Sequence, residues 1–378
     1  MKKVLIITRN LPPLVGGMER LNWHMADELS KYTEVKVIGP TGSAAIKPEN
    51  LEISESPLKP LILFMLVALV KTLWLSFNFR PNIILAGSGL TAPLAWLASR
   101  IIGVKSIVYL HGLDITASSK LYQTFWVPFL RCLDKVIVNS NATKQLALNV
   151  GIKEEKISIV NPGVKIPLNL PVEDEIKKFK LKYSLENKKI ILSVGRLTTR
   201  KGLKEFVDKS LPTIIKQELS AILVIIGEPP KNSLSAELQS RESIEQIAQE
   251  NGVENNIRFL GKVDERTLAL ALHSANVHIF PVRDIKKDPE GFGMVAIEAA
   301  AYGVPTVAFA TGGVVDAVAD NQSGYLVDSG DYLMLAKKTI YIIQSDKKKW
   351  QNSSLNFVKN FTWHKFGVKI FKCLQRNT

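Results

Sequence analysis

A chain of 378 residues, 46% apolar and 22% charged, is too long for one ordinary core, fits two domains, and excludes a long disordered or low-complexity protein. Its two cysteines, Cys132 and Cys373, stand far apart without metal-ligand spacing, which excludes a disulfide framework and a structural zinc site and implies a reducing compartment. The formal net charge of +14 points to anionic partners, whether nucleotide phosphates, nucleic acid or an acidic membrane surface.

The N-terminus, MKKVLIITRN, carries two lysines but an apolar run of only four residues. That is far short of a secretory signal's core, and it reads as a first buried strand. After strand Val4–Thr8, RNLPPLVGGMERLNWHMADELSK sets Gly16-Gly17 ahead of a helix with Leu21, Met25 and Leu29 on one face. Glycines there let the backbone approach a phosphate or sugar, and a helix start favours an anion. The turn is not GxGxxG, and the second strand, Val35–Ile38, runs into Gly39-Pro40 rather than an acidic residue. A dinucleotide cofactor such as NAD is therefore disfavoured, and a plain strand-to-helix turn competes with a ligand loop.

LKPLILFMLVALVKTLWLSFNF holds ten consecutive apolar residues, Leu61 to Val70, within a basic frame of Lys59, Lys71 and Arg80. A membrane span needs roughly 20 such residues, whereas a core or interfacial helix needs fewer. A run apolar on every side must be covered by protein or by lipid, so three readings stand: core helix, interfacial membrane contact through residues 58–80, or span.

Short β-rich runs at Asn82–Leu85, Ser106–Leu110, Lys135–Val138 and Ile157–Val160 alternate with helical patterns and predict a parallel sheet covered by helices. VYLHGLDI sets His111 and Asp114 directly after a buried strand, at the carboxyl edge where such sheets bind ligands. The competing reading of His111 is a structural histidine.

The rhythm pauses in PGVKIPLNLPVEDEIKKFKLKYSLENKK, which sets a domain boundary near Pro167, with a first domain over 1–167 and a second over 168–361. Strands resume at Lys189–Val194, Ala221–Ile226, Ile257–Leu260, Asn276–Phe280 and Thr306–Ala308 without any repeated sequence. The expectation is an α/β protein of two Rossmann-like domains facing a cleft, the default place for a ligand.

LSVGRLTTRKGL follows the first strand of the second domain with Gly195-Arg196, then Lys201-Gly202 opening a helix. A planar guanidinium fork and a mobile ammonium together suit a diphosphate, while a solvated basic turn is the bland alternative. DPEGFGMVAIEAAAYGVPTVAFATGGVVD, residues 288–316, then places Glu290 and Glu298 eight positions apart. Eight helical steps rotate about 80° beyond two turns, so the pair would not share a helix face. Gly291 and Gly293 instead put Glu290 in a loop and start the helix near Gly293, with Glu298 on its second turn. Amides from Phe292 through Gly293 to Met294 would then face an anion, and Glu298 would accept hydrogen bonds from ribose hydroxyls. Two carboxylates, two cations and a helix start fit a sugar nucleotide. The closing stretch FTWHKFGVKIFKCLQ reads as an amphipathic helix within 362–378.

The set PPLVGGMER, HGLD, VNPGV, VGRLTTRKG and EGFGMVAIEAAAYGVPTVAFATGGV runs in order between residues 12 and 327. It resembles the retaining glycosyltransferase family 4, of GT-B architecture. The specific signal is Glu-x7-Glu with Gly291, Gly293, Gly303, Pro305 and Gly312-Gly313. FPVRDIKKDPEGFG looks most like the lipid-acceptor members, such as phosphatidylinositol mannosyltransferases and lipopolysaccharide or O-antigen assembly enzymes.

The resemblance implies that Arg196 and Lys201 hold the donor's diphosphate, Glu298 its ribose and Glu290 the transferred sugar. Gly16-Gly17 would close over the phosphates and His111 would sit beside the reacting carbon. It implies transfer of a hexosyl group with retention, through an oxocarbenium-like state, with no metal or other cofactor. No covalent nucleophile is assigned to Glu290. It also implies that the last helix crosses back to the N-terminal domain, and that the enzyme works at the inner face of the cell membrane on a lipid-linked or glycan acceptor. A sugar-nucleotide epimerase, a glycan phosphorylase and a non-catalytic sugar-nucleotide-binding protein are the rival functions. Nucleic acid is not an expected partner, since no recognition motif accompanies the charge.

Overall fold

A computed structural model describes residues 2–117, 119–229, 238–286 and 288–375. The chain divides into two compact units, Met1–Gly163 with Phe361–Thr378, and Val164–Asn360. The first break thus falls a few residues before Pro167.

The first unit is built on strands β1 (Lys3–Ile7), β2 (Glu34–Pro40), β3 (Glu52–Ser56), β4 (Ile83–Ala86), β5 (Lys105–Leu110), β6 (Lys135–Val138) and β7 (Ile157–Ile159). They pair in parallel in the order β3-β2-β1-β4-β5-β6-β7. β1, β4 and β6 are buried throughout or nearly so, because helices cover both faces of the sheet. That is why they read as unbroken apolar runs. β3, with the sequence EISES, was not legible as a strand: it is a half-buried edge with no apolar run.

The second unit has β8 (Lys189–Val194), β9 (Ala221–Ile226), β10 (Ile257–Gly261), β11 (Val277–Phe280), β12 (Thr306–Phe309) and β13 (Gly324–Val327), in the order β10-β9-β8-β11-β12-β13. Alternate residues feed two cores. Ile191, Leu223, Ile225 and Ile279 face one layer of helices, while Ile190, Leu192, Ile222 and Val224 face the other. In both units the chain order reverses at the first strand, between β1 and β4 and between β8 and β11. Loops leaving the carboxyl ends of those neighbours diverge and open a crevice.

The last helix, Trp363–Gln375, lies in the first unit against the helix Gly17–Ser30. The rings of His24 and Trp363 stack at 4.0 Å, those of Tyr32 and Phe371 at 5.0 Å. Lys135 donates to the Cys373 carbonyl at 3.2 Å.

The apolar run forms the helix Leu61–Asn78, and it is not a core helix: only 28% of it is buried. Phe64, Ala68, Thr72 and Leu75 face the sheet, whereas Ile62, Leu66, Val70, Trp74 and Phe77 are 55 to 68% exposed. The usual pattern is inverted, since the hydroxyls point inward. Thr72 and Ser76 donate back to the carbonyls of Ala68 and Thr72 at 2.6 and 2.7 Å. A span is also disfavoured, because one whole side is sealed against the sheet and its neighbouring helices.

Candidate functional site

In the second unit, the loop after β8 carries Gly195 and the exposed Arg196, then a turn over Thr199–Lys201. Gly202 follows at φ +66, where a Cβ atom would lie 2.1 Å from the Pro281 carbonyl oxygen. Only a residue without a side chain lets the loops after β8 and β11 pack back to back. The Arg283 amide seals that contact by donating to the Arg200 carbonyl at 2.8 Å.

Lys201 is thereby laid over the Phe280 ring, 4.5 Å from its centroid, with Nζ donating to Glu290 Oε2 at 2.7 Å. Glu290 is held from its other side by the loop after β12. The Gly313 amide donates to the Glu290 carbonyl at 2.8 Å, and a Cβ at Gly313 would come within 2.0 Å of the Gly291 oxygen. The Gly312-Gly313 pair therefore serves backbone packing. The helix Met294–Ala301 starts after Gly293 at φ +89, with Phe292 buried beneath it and Glu298 half-buried on its second turn.

The charges here are coupled. Burial alone would raise the Glu290 carboxyl, but Lys201 and Arg200 beside it hold its pKa down to about 2. Burial, reinforced by Arg200 and Arg196, pulls Lys201 below its ordinary value despite Glu290. Lys201 and Glu290 are 17% and 12% exposed, so an anion that reaches them meets a nearly dry site.

Two residues here escaped the sequence reading. Arg200, next to Lys201, sends Nη1 to the Pro289 carbonyl at 2.8 Å. Its signal was its place in the run TTRKG. His278 is fully buried on β11 with Nδ1 3.1 Å from Thr306 Oγ1, and its signal was a histidine inside an apolar strand. Burial, then the Lys201 charge, pushes His278 from 6.5 to about 3. The unfolded chain consequently takes up a proton below pH 6.5 that the folded chain refuses, so this stability is full above 6.5 and drains as pH falls towards 3. At pH 5 the loss is about 2 kcal/mol. In His278→Gln the fall in Tm between pH 7 and pH 5 is expected to flatten. An unchanged slope would remove His278 as its source.

In the first unit, His111 follows β5 and is buried, with Nε2 3.0 Å from the Gly87 carbonyl oxygen. A carbonyl only accepts, so Nε2 carries a proton in this contact. Asp114 Oδ2 accepts from the amides of His111 at 3.2 Å and Gly89 at 3.1 Å, tying the β5 loop to the β4 loop. Gly16 and Gly17 lie exposed at the start of the helix Gly17–Ser30, with Gly16 in extended backbone. Among the described residues, no group of three or more His, Cys, Asp or Glu is placed to hold a metal.

The chain belongs to the glycosyltransferases of the group 1 and family 4 type. Residues 174–359 match the family model for glycosyl transferases group 1, and residues 15–166 match that for Glycosyltransferase Family 4. Its two Rossmann-like halves make the GT-B architecture.

Among curated proteins, it is 25% identical to a GDP-mannose-dependent alpha-(1-6)-phosphatidylinositol monomannoside mannosyltransferase of Mycolicibacterium smegmatis, over 87% of this chain and 86% of that one. It is 29% identical to a D-inositol 3-phosphate glycosyltransferase of Corynebacterium efficiens over 55% of this chain, a match that spans 48% of that protein's length. Among solved structures, Anabaena HepE in complex with UDP superposes with a TM-score of 0.80 at 18% identity, over 99% of each chain. At that identity the likeness concerns the fold.

Proposed function

We propose that this glycosyltransferase moves a hexosyl group, with retention and without a metal, from a nucleoside-diphosphate sugar to a lipid-linked, lipopolysaccharide or other cell-envelope glycan acceptor. The observation that carries the reading is the nearly dry Lys201–Glu290 pair beside the start of the helix Met294–Ala301, with Arg196 exposed next to it. Arg196 lies close enough for its charge to act on Glu290. The HepE complex with UDP and the GDP-mannose dependence of the mycobacterial relative support a nucleotide-sugar donor.

In this mechanism Arg196, Lys201 and the amides at Phe292, Gly293 and Met294 take up the charge that grows on the leaving diphosphate, the task a metal ion performs elsewhere. Glu298 accepts from the ribose hydroxyls and Glu290 from those of the transferred sugar. Gly16 and Gly17 cover the phosphates, and His111 stands by the reacting carbon. The departing phosphate draws the proton from the acceptor hydroxyl as the new bond forms on the face the phosphate leaves.

The test is the thermal midpoint with UDP, GDP, ADP, TDP and NAD. One nucleoside diphosphate at 100 times its Kd should add about 2.7 kcal/mol, and Arg196→Ala and Glu298→Ala should abolish the shift. Stabilisation by NAD alone, or by nothing, overturns the reading. Turnover that EDTA suppresses would refute metal independence, and an inverted anomer by NMR would refute retention.

The acceptor side of the proposal rests on the outward stripe Ile62, Leu66, Val70, Trp74 and Phe77, framed by the exposed Lys59 and Arg80. An anionic bilayer satisfies the stripe and both cations at once. A second copy packed on the stripe would instead bring cationic ends against cationic ends. The protein is therefore expected to sediment with anionic liposomes at low salt, as a peripheral enzyme of the inner membrane face. The variant L66E/V70E/W74E should lose roughly 100-fold or more in that binding. Equal sedimentation of the two proteins would remove the helix as the contact.

A further inference from the structure

Arg200 plays no part in the reaction as proposed, yet it is the more deeply buried cation of the cluster, its side chain 8% exposed against 17% for Lys201. Besides the bond to Pro289, its Nη1 lies 3.5 Å from Asp288 Oδ1 and 3.7 Å from Glu290 Oε2. Its Nε, also buried, has no partner. Lys201 and Glu290 already neutralise one another, so a second buried cation aimed at the same carboxylate needs a reason, since burying charge is costly.

The two cations differ in freedom. Lys201 carries a compact ammonium on a flexible stem, and one rotation takes it from Glu290 to a ligand. Arg200 is fixed at both ends, its guanidinium on Pro289 and its carbonyl on the Arg283 amide. We propose that Arg200 is a positioning residue that keeps Glu290 ionised and in place when Lys201 turns from it to the anionic donor.

The proposal rests on the nucleotide-sugar reading. Among the described residues, the charges that act on Glu290 are Lys201, Arg200 and Arg196 from the β8 loop; Asp288, on its own loop, lies by Arg200, and His278, from β11, feels Lys201. Glu205 pairs with Arg283 one layer further out. Of these, His278 stays neutral. Without Arg200, moving Lys201 to a diphosphate strands Glu290 in a dry site with anions for neighbours, and it takes up a proton.

The experiment is titration calorimetry with UDP-glucose, GDP-mannose, ADP-glucose and TDP-glucose between pH 5 and 8, each in two buffers of different ionisation enthalpy. A nucleotide sugar is chosen because its diphosphate does not titrate in that range. The wild type is compared with Arg200→Gln, which is neutral but retains a donor for Pro289, with Arg200→Met should the first not fold, and with Arg200→Lys.

Wild type and Arg200→Lys should show the same small proton exchange on binding. Arg200→Gln should take up an additional large fraction of a proton, and its affinity should weaken by up to tenfold for each unit of rising pH. In R200Q/E290Q that uptake should vanish. If Arg200→Gln keeps the wild-type proton count and pH profile, or if R200Q/E290Q still takes up the proton, Arg200 is merely structural. If the wild type binds none of the four nucleotide sugars, the functional reading fails and takes this inference with it.

Discussion

Replacing Lys201 with methionine is expected to lower kcat/KM for transfer from the donor by 100-fold to 1000-fold. Methionine keeps an apolar stem over the Phe280 ring and removes only the ammonium, which sits 2.7 Å from Glu290. Losing one preorganised donor to a developing anion in a dry site costs about 3 to 4 kcal/mol of barrier, which sets that range. The folded state should suffer less. Breaking a buried ion pair ordinarily costs about 3 to 5 kcal/mol, but Arg200, 3.7 Å from the same carboxylate oxygen, stays in place. A loss of about 2 kcal/mol or less is expected, read as a lowered midpoint in urea. Steady-state rates with the best-binding nucleotide sugar decide the matter, and turnover within threefold of the wild type would take Lys201 off the diphosphate.

The second large effect is conformational. Gly202 and Gly252 share φ +66, yet a Cβ at Gly202 would sit 2.1 Å from the Pro281 oxygen while one at Gly252 would meet nothing within 4 Å. Gly252→Ala should therefore show the left-handed backbone cost alone, about 1 kcal/mol. Gly202→Ala adds a collision between two backbones that neither can relieve by a rotamer change, and should cost about 4 kcal/mol or more. Urea unfolding of the two variants side by side measures the difference. The functional consequence is local, since parting the loops after β8 and β11 carries Lys201 away from both Phe280 and Glu290. If the two variants unfold alike, the loops separate cheaply and the close approach does not hold the site together.

Much of this protein was legible before any coordinates. A parallel sheet covered on both faces demands strands such as Val4–Ile7 and Ala221–Ile226, and their unbroken apolar runs announce it. The edge strand β3 and the four-residue β13 lacked that signature, since an edge can be polar and a short strand that opens on Gly324 presents little to read. The loop position of Glu290 and the helix start at Met294 followed from glycine spacing, because the backbone they require is local.

What the sequence by itself determined is the local kind of each segment: strand, helix or glycine turn, and the alternation that makes two α/β halves of a glycosyltransferase. The tertiary structure alone decided which segments meet. Lys201 and Glu290 stand 89 residues apart, and Arg200 reaches Pro289 across the same separation. Their contact depends on β8 and β11 lying side by side, a consequence of strand order that periodicity does not carry. The same holds for the helix Leu61–Asn78, whose two faces are almost equally apolar in sequence. Which face is buried depends on what packs against it, and the sheet covers only one.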